Sequence, residues 1–267
     1  MMSERYVLAT GEEGADRLRV VHSVHGPDTE AFLRRAGLAA GMRVADIGCG
    51  AGIISCWLAE QVGPEGAVVG LDVSAGQIEQ ARKLAAESGH SNARFVNASA
   101  YATGLERESF DLVFSRFMLM HIQRPDQAIA EMRALLKPGG ILAVEDGDFT
   151  SPFCYPPSAA FDRCFELYRQ LGERHGADFQ IGRKLYGIVR SAGFRDVEAA
   201  LAQPAFVRGD ARRLPEWTLA ESAPALIAAG LATQAEIDAL VAEMAALTVG
   251  EERLFGMAQM TQVWGRK

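Results

Sequence analysis

An α/β fold built on a doubly wound, largely parallel sheet is predicted by three observations. Short β-branched runs alternate with longer helical patterns up to about residue 146. Those runs are near-continuously apolar, as strands covered on both faces are. A dense glycine turn, GCGAG at 48–52, joins the first run to the helical pattern behind it.

In chain order, the predicted strands are 42–47, 67–72, 93–98, 110–115 and 140–146. Helices are predicted at 51–62, 74–88 and 125–136. Asp72 and Ser74 stand where the second of these helices starts, and Pro125 and Asp126 at the start of the third, as helix N-termini prefer. KPGG (137–140) stops the third helix. After residue 150 the pattern changes. SPFCYPP (151–157) is a proline-rich break, followed by helical stretches at 158–175 and 181–192 and a strand-like run at 194–202. An alanine-rich helical block fills 210–248, and 254–264 is a closing strand. No internal repeat or low-complexity tract interrupts the chain, which reads as one domain with helical decoration.

Composition narrows the function. A hydrophobic fraction of 49% with 23% charged residues is that of an ordinary globular protein. There is no apolar run of the length a bilayer span needs, and the N-terminus has no apolar signal core. Cys49, Cys56, Cys154 and Cys164 show no CxxC pair and no metal-ligand spacing, so free thiols in a reducing cytoplasm, and no metal, are expected. A net charge of −7 provides no global attraction for nucleic acid.

The sharpest signal is VADIGCGAG (44–52). A glycine turn leading into a helix is a generic anion or nucleotide site. The dinucleotide fingerprint is G-x-G-x-x-G, whereas Gly48, Gly50 and Gly52 give G-x-G-x-G, with Asp46 two residues ahead. A carboxylate there would repel a pyrophosphate and attract a cationic ligand. Asp72, at the end of the next strand, is placed to accept from ribose hydroxyls. Together these residues resemble the first two motifs of class I S-adenosylmethionine-dependent methyltransferases. DVSAGQIEQAR (72–82), ARFVNASA (93–100), SFDLVFSRFMLMHI (109–122) and LLKPGGILAVEDGDF (135–149) continue the resemblance, and the terminal MTQVWGRK resembles that fold's antiparallel last strand. The likeness is to the small-molecule, ubiquinone/menaquinone-biosynthesis-like group.

The resemblance implies a Rossmann-like seven-stranded sheet, mostly parallel with an antiparallel last strand, plus N-terminal and inserted C-terminal lid helices. It divides the chain into an N-terminal helical cap (1–40), a cofactor-binding core (41–149), acceptor-site insertions (150–193 and 203–253) and closing strands (194–202 and 254–267). It implies S-adenosylmethionine as cofactor, with S-adenosylhomocysteine as product. The expected cofactor residues are Tyr6, Asp46, Gly48, Gly50, Asp72, Val73, Gln77, Ala98, Ser99, Ser115 and Arg116. Ser99 stands where the family commonly has an aspartate near the adenine amino group. Tyr6 and His22 are expected to face the cofactor or acceptor from the N-terminal segment, and His121, just beyond strand four, is the candidate base.

Each assignment has a plainer alternative. Asp46 and Asp72 both precede helix starts and could be capping acids. Arg116 could pin the methionine carboxylate or pair with a nearby acid. A histidine in an apolar stretch, such as His121, could be a hydrogen-bonded structural residue. Asp146 and Asp148 could bind a cationic acceptor amine or be solvated turn acids. Trp217, Leu219, Leu226, Ile227 and Leu231 form an apolar stripe that packs on the core and, in this family, would roof the acceptor pocket.

The leading expectation is therefore methyl transfer to a small hydrophobic or aromatic molecule, with oxygen, nitrogen and carbon acceptors all open. No nucleic-acid or membrane partner is expected, and a homodimer is left open. An NAD(P)-dependent oxidoreductase, a protein or nucleic-acid methyltransferase and a non-catalytic S-adenosylmethionine-binding protein are the alternatives. The glycine spacing and Asp46 oppose the first.

Overall fold

The computed structural model describes residues 12–267. Its first element is a 25-residue helix, α1 (Glu12–Ala36). There follow β1 (Arg43–Ile47), α2 (Ile53–Val62), β2 (Ala67–Asp72), α3 (Ala75–Glu87), β3 (Ala93–Asn97) and β4 (Phe110–Arg116). A 3₁₀ turn, Leu119–His121, leads to α4 (Pro125–Leu135) and the long β5 (Leu136–Asp148). Beyond these lie β6 (Phe153–Tyr155), α5 (Ala159–Arg174), α6 (Leu185–Ser191), β7 (Arg195–Ala202) and β8 (Ala205–Phe206). The chain ends with α7 (Leu214–Ala228), α8 (Gln234–Leu247), β9 (Leu254–Gly256) and β10 (Gln259–Arg266).

Seven strands form one sheet in the order β3-β2-β1-β4-β5-β10-β7. β1 to β5 run parallel, and β10 lies antiparallel between β5 and β7. The apolar runs sit where two-sided burial demands: Val44, Leu112, Val113, Leu142 and Val144 are all 0% exposed. On one face α1 and α2 seal Phe32, Leu33 and Leu58 against β1, β4 and β5. On the other, α4 and α6 bury Ile129, Met132, Leu185 and Val189.

The predicted elements need three corrections. The 254–264 run is two strands, because Met257 and Ala258 carry the chain out of a small second sheet (β6-β9-β8) into the main one. The 210–248 block is two helices, α7 and α8, broken at Gly230, whose φ is +65°. Ile227 leaves the expected core stripe and is 38% exposed, whereas Leu219 and Leu226 are buried as expected. α5, α7 and α8 form a separate apolar layer with Val24 of α1, Phe255 of β9 and Met257.

Strand order reverses between β1 and β4, which extend outward on opposite sides of this pair. A doubly wound sheet opens a crevice at the carboxyl ends of such strands, and that is where the candidate site lies. Among the described residues no helix is long and apolar enough to cross a membrane.

Candidate active site

Two cavities occupy the crevice. The first encloses about 1140 Å³, open mouth included, and is lined by Asp46, Gly48, Cys49, Gly50, Asp72, Val73, Ser74, Gln77, Phe114, Arg116 and neighbours. The second encloses about 940 Å³ and lies between α1, α5, α7 and the β4 tip. Val21, Phe117 and His121 line both.

The glycine turn owes its shape to backbone that other residues adopt poorly. Gly48, Gly50 and Gly52 have φ of +80°, +53° and +79°. A Cβ on Gly48 would lie 2.6 Å from Met118 Cγ, and one on Gly52 would lie 2.7 Å from Ala81 Cβ. Four N–H groups of this turn are spent within the protein. Gly48 and Cys49 donate to the Leu71 carbonyl (2.7 and 3.0 Å), Gly52 to the Cys49 carbonyl (3.0 Å) and Gly50 to Asp72 Oδ2 (3.0 Å). A phosphate cradle needs such donors pointing at the ligand; here four of them are occupied.

Asp72 also accepts from the Ser74 N–H at Oδ1 (2.9 Å), and burial raises its pKa against these hydrogen bonds. It is therefore bound to the turn as well as facing the cavity, so the capping and ligand readings both hold for it. Asp46, 2% exposed, accepts from the Ser55 hydroxyl (2.6 Å), and burial raises its pKa to about 6. Gln77 is 5% exposed and its Oε1 has no hydrogen-bond partner. Such an acceptor at a cavity wall fits a ligand amine or hydroxyl. Val73 presents a 72%-exposed apolar side chain at the rim, suited to the flat face of a base.

Arg116 donates to the Thr29 hydroxyl (3.0 Å), and the charges of Glu145 and Asp46 oppose the effect of burial on its guanidinium. Its pairing is internal, yet it still lines the first cavity. Glu145, 2% exposed, accepts from the Thr29 hydroxyl and from Gln262 Nε2 (3.0 Å). This buried cluster fastens α1 across the tips of β4, β5 and β10. Sequence reading reaches Glu145 only as part of the EDGD run (145–148) at a strand end and misses Thr29, because nothing local marks residues 116 apart as partners.

Several predicted site residues lie elsewhere. Ser115 is buried on the opposite side of β4 from Phe114 and Arg116, as strand alternation requires, and its hydroxyl has no partner. Ala98 donates its N–H to the Asp72 carbonyl (3.1 Å), and Ser99 accepts from the Tyr101 N–H (3.2 Å); neither lines either of these two cavities. Tyr6 lies outside the described residues. His22 turns away from both cavities and packs against Gly26, and burial, then the Arg116 charge, lowers its pKa. His25 takes the place expected of it. Val21 and His25, four apart on α1, share the helix face that meets the cavities, and that spacing was the available signal. His25 is 6% exposed, packs edge-on against Phe117 at 5.1 Å, and burial depresses its pKa to about 3.

His121 ends the 3₁₀ turn at the junction of the cavities, edge-on to Phe179 at 5.4 Å. That turn hangs on Asp146, whose Oδ2 accepts the N–H groups of Leu119 (2.9 Å) and Met120 (3.3 Å). Burial lifts Asp146 to a pKa of about 8. Asp148 pairs with Arg183 and Thr150. Neither acid lines the second cavity, which corrects the expectation that they could receive a cationic amine.

Fold and crevice define a doubly wound α/β protein with a polar cavity at the sheet's switch point and a more apolar cavity beside it. Residues 38–193, more than half of the chain, match the family model described as a methyltransferase domain, and the chain belongs to that family. It is 30% identical over 185 residues to the demethylmenaquinone methyltransferase of Lactococcus lactis, covering 62% of this chain and 71% of that protein. It is 39% identical over 112 residues to the aklanonic acid methyltransferase DauC of Streptomyces sp. strain C5, covering 42% of this chain and 49% of that one. The Haemonchus contortus phosphoethanolamine N-methyltransferase 2, solved with S-adenosylhomocysteine, shares the fold: TM-score 0.58 at 20% identity, over 90% of this chain and 52% of its own.

Proposed function

We propose that the protein transfers a methyl group from S-adenosylmethionine to a small, uncharged, hydrophobic or aromatic acceptor in the cytoplasm. The observation that carries this is the meeting of the two cavities at Val21, Phe117 and His121, one with acidic and cationic walls and one with no Asp, Glu, Lys or Arg among its described lining residues. When bound, the cofactor supplies an electrophilic methyl group on a sulfonium. Residues of this chain fit it: Asp72 for the ribose hydroxyls, the unpartnered Gln77 Oε1 for a ribose or adenine donor, Val73 for the base, and Asp46 for the cationic end. Arg116 is beside them to compensate charge.

In-line displacement depends chiefly on holding donor and acceptor in line, and the shared wall provides the alignment. His121 is the side chain at that wall suited to orient the acceptor or to take its proton if the acceptor is a phenol or an activated carbon. Relatives named for demethylmenaquinone and aklanonic acid support a ring-containing acceptor. The test is release of S-adenosylhomocysteine across phenols, quinones, amines and polyketide-like aromatics. Turnover is expected with an uncharged aromatic, and turnover confined to charged amines or to proteins would contradict the proposal.

A further inference from the structure

The second cavity is not uniformly apolar. Phe117, Phe149, Phe165 and Tyr168 contribute aromatic walls, suited to a flat ring. Two residues of the same lining each bury a polar atom that has no hydrogen-bond partner: His25 (Nδ1) on α1 and Ser222 (Oγ) on α7. His25 is 6% exposed and Ser222 1%. A serine inside a helix commonly donates to the carbonyl four residues back, and Ser222 makes no such bond. Buried polar atoms are nearly always paired, so two orphans in one cavity point to a ligand that pairs them. With no Asp, Glu, Lys or Arg among the described lining residues, an ionic acceptor would leave its charge uncompensated by them.

We propose that His25 and Ser222 are the polar anchors of the acceptor cavity and select an uncharged aromatic ring system bearing hydroxyl or keto oxygens. This rests on the methyl-transfer reading above and narrows its substrate class. The neutral state of His25, which burial enforces, lets Nδ1 either donate to a keto oxygen or accept from a hydroxyl. The Ser222 hydroxyl has the same freedom. An apolar isostere would fill the volume and leave both atoms unpaired, which is how polar pockets reject analogues lacking the polar group.

The test is calorimetric titration of the protein, with and without S-adenosylhomocysteine, using 1-naphthol, 2-naphthol, 1,5-dihydroxynaphthalene, 1-methylnaphthalene and 1-naphthoate. At least one hydroxylated probe should bind more tightly than 1-methylnaphthalene by about two- to tenfold per hydrogen bond formed, and 1-naphthoate should bind most weakly. Ser222→Ala and His25→Phe should each erase part of that preference without weakening 1-methylnaphthalene, and His25→Gln should retain more of it than His25→Phe. Thermal melting of each variant establishes that it is folded. Equal binding of 1-methylnaphthalene and every hydroxylated probe, or a preference that survives both substitutions, would overturn the inference. Loss of S-adenosylhomocysteine binding would instead count against the methyl-transfer reading, because the probe titrations are read separately.

Discussion

The two cavities share a wall but are built by different means. The first is assembled from two short stretches, 46–77 and 114–122, apart from Val21 of α1, and its shape is fixed by backbone: three left-handed glycines, N–H groups tied to Leu71 and Asp72, and carboxylates at strand ends. The second draws on α1, the β4 tip, α5, α7 and residues 257–258, and its lining contains no glycine among the described residues. The first is lined by Asp46, Asp72 and Arg116; the second has no Asp, Glu, Lys or Arg among its described lining residues. A backbone-built pocket suits one invariant ligand, whereas a side-chain-built pocket can be refitted to a new acceptor without disturbing the first.

The largest expected effect falls on the shared wall. If the acceptor loses a proton during transfer, His121→Ala should lower turnover by about 10²–10⁴-fold while S-adenosylmethionine affinity stays nearly unchanged. A stable variant with wild-type turnover on such an acceptor would remove His121 from the chemistry. Next is Asp72→Ala on the cofactor side. A hydrogen bond to a charged group is worth about 1.5–3 kcal/mol, so cofactor affinity should fall about tenfold or more, read by calorimetry. Because Asp72 also holds the Gly50 and Ser74 N–H groups, a small loss in melting temperature should accompany it. Unchanged affinity in the folded variant would leave Asp72 as a cap only.

The smallest effect concerns Asp146, which supports the turn carrying His121. Its folded pKa of about 8 lies above the value of about 4 expected in the unfolded chain. Between those values the folded protein holds a proton that the unfolded chain has released. The contribution is therefore full below about pH 4 and is lost as pH rises through about 8. Asp146's contribution to the melting temperature should decline from pH 5 to pH 8.5, and Asp146→Asn, which still accepts the Leu119 and Met120 N–H groups, should show a melting temperature that falls less, or rises more, with pH than the wild type's over that range. Parallel slopes in the two proteins would contradict it.

The same contrast explains what could be read from sequence. Strand order and the cavity-lining residues Asp46, Gly48, Gly50, Asp72, Val73 and Gln77 were legible because each sits within a few residues of a glycine turn or strand tip. Ser115 and Arg116 are adjacent, and strand alternation places only Arg116 in the lining of the first cavity, a distinction that motif position without parity does not make. His22 was chosen over His25 because the register of α1 is set by long-range contacts, Thr29 with Glu145 and Arg116 among them. Ser222 carried no local signal, since its meaning depends on which helix α7 faces.

The central claim is that the glycine turn serves a sulfonium nucleoside and not a dinucleotide. Calorimetry of the purified protein with S-adenosylhomocysteine and with NAD tests it most directly. The account predicts saturable binding of S-adenosylhomocysteine and no detectable heat with NAD, because the Gly48, Cys49, Gly50 and Gly52 N–H groups are already engaged and Asp46 and Asp72 stand beside them. Tight NAD binding with no response to S-adenosylhomocysteine would contradict it.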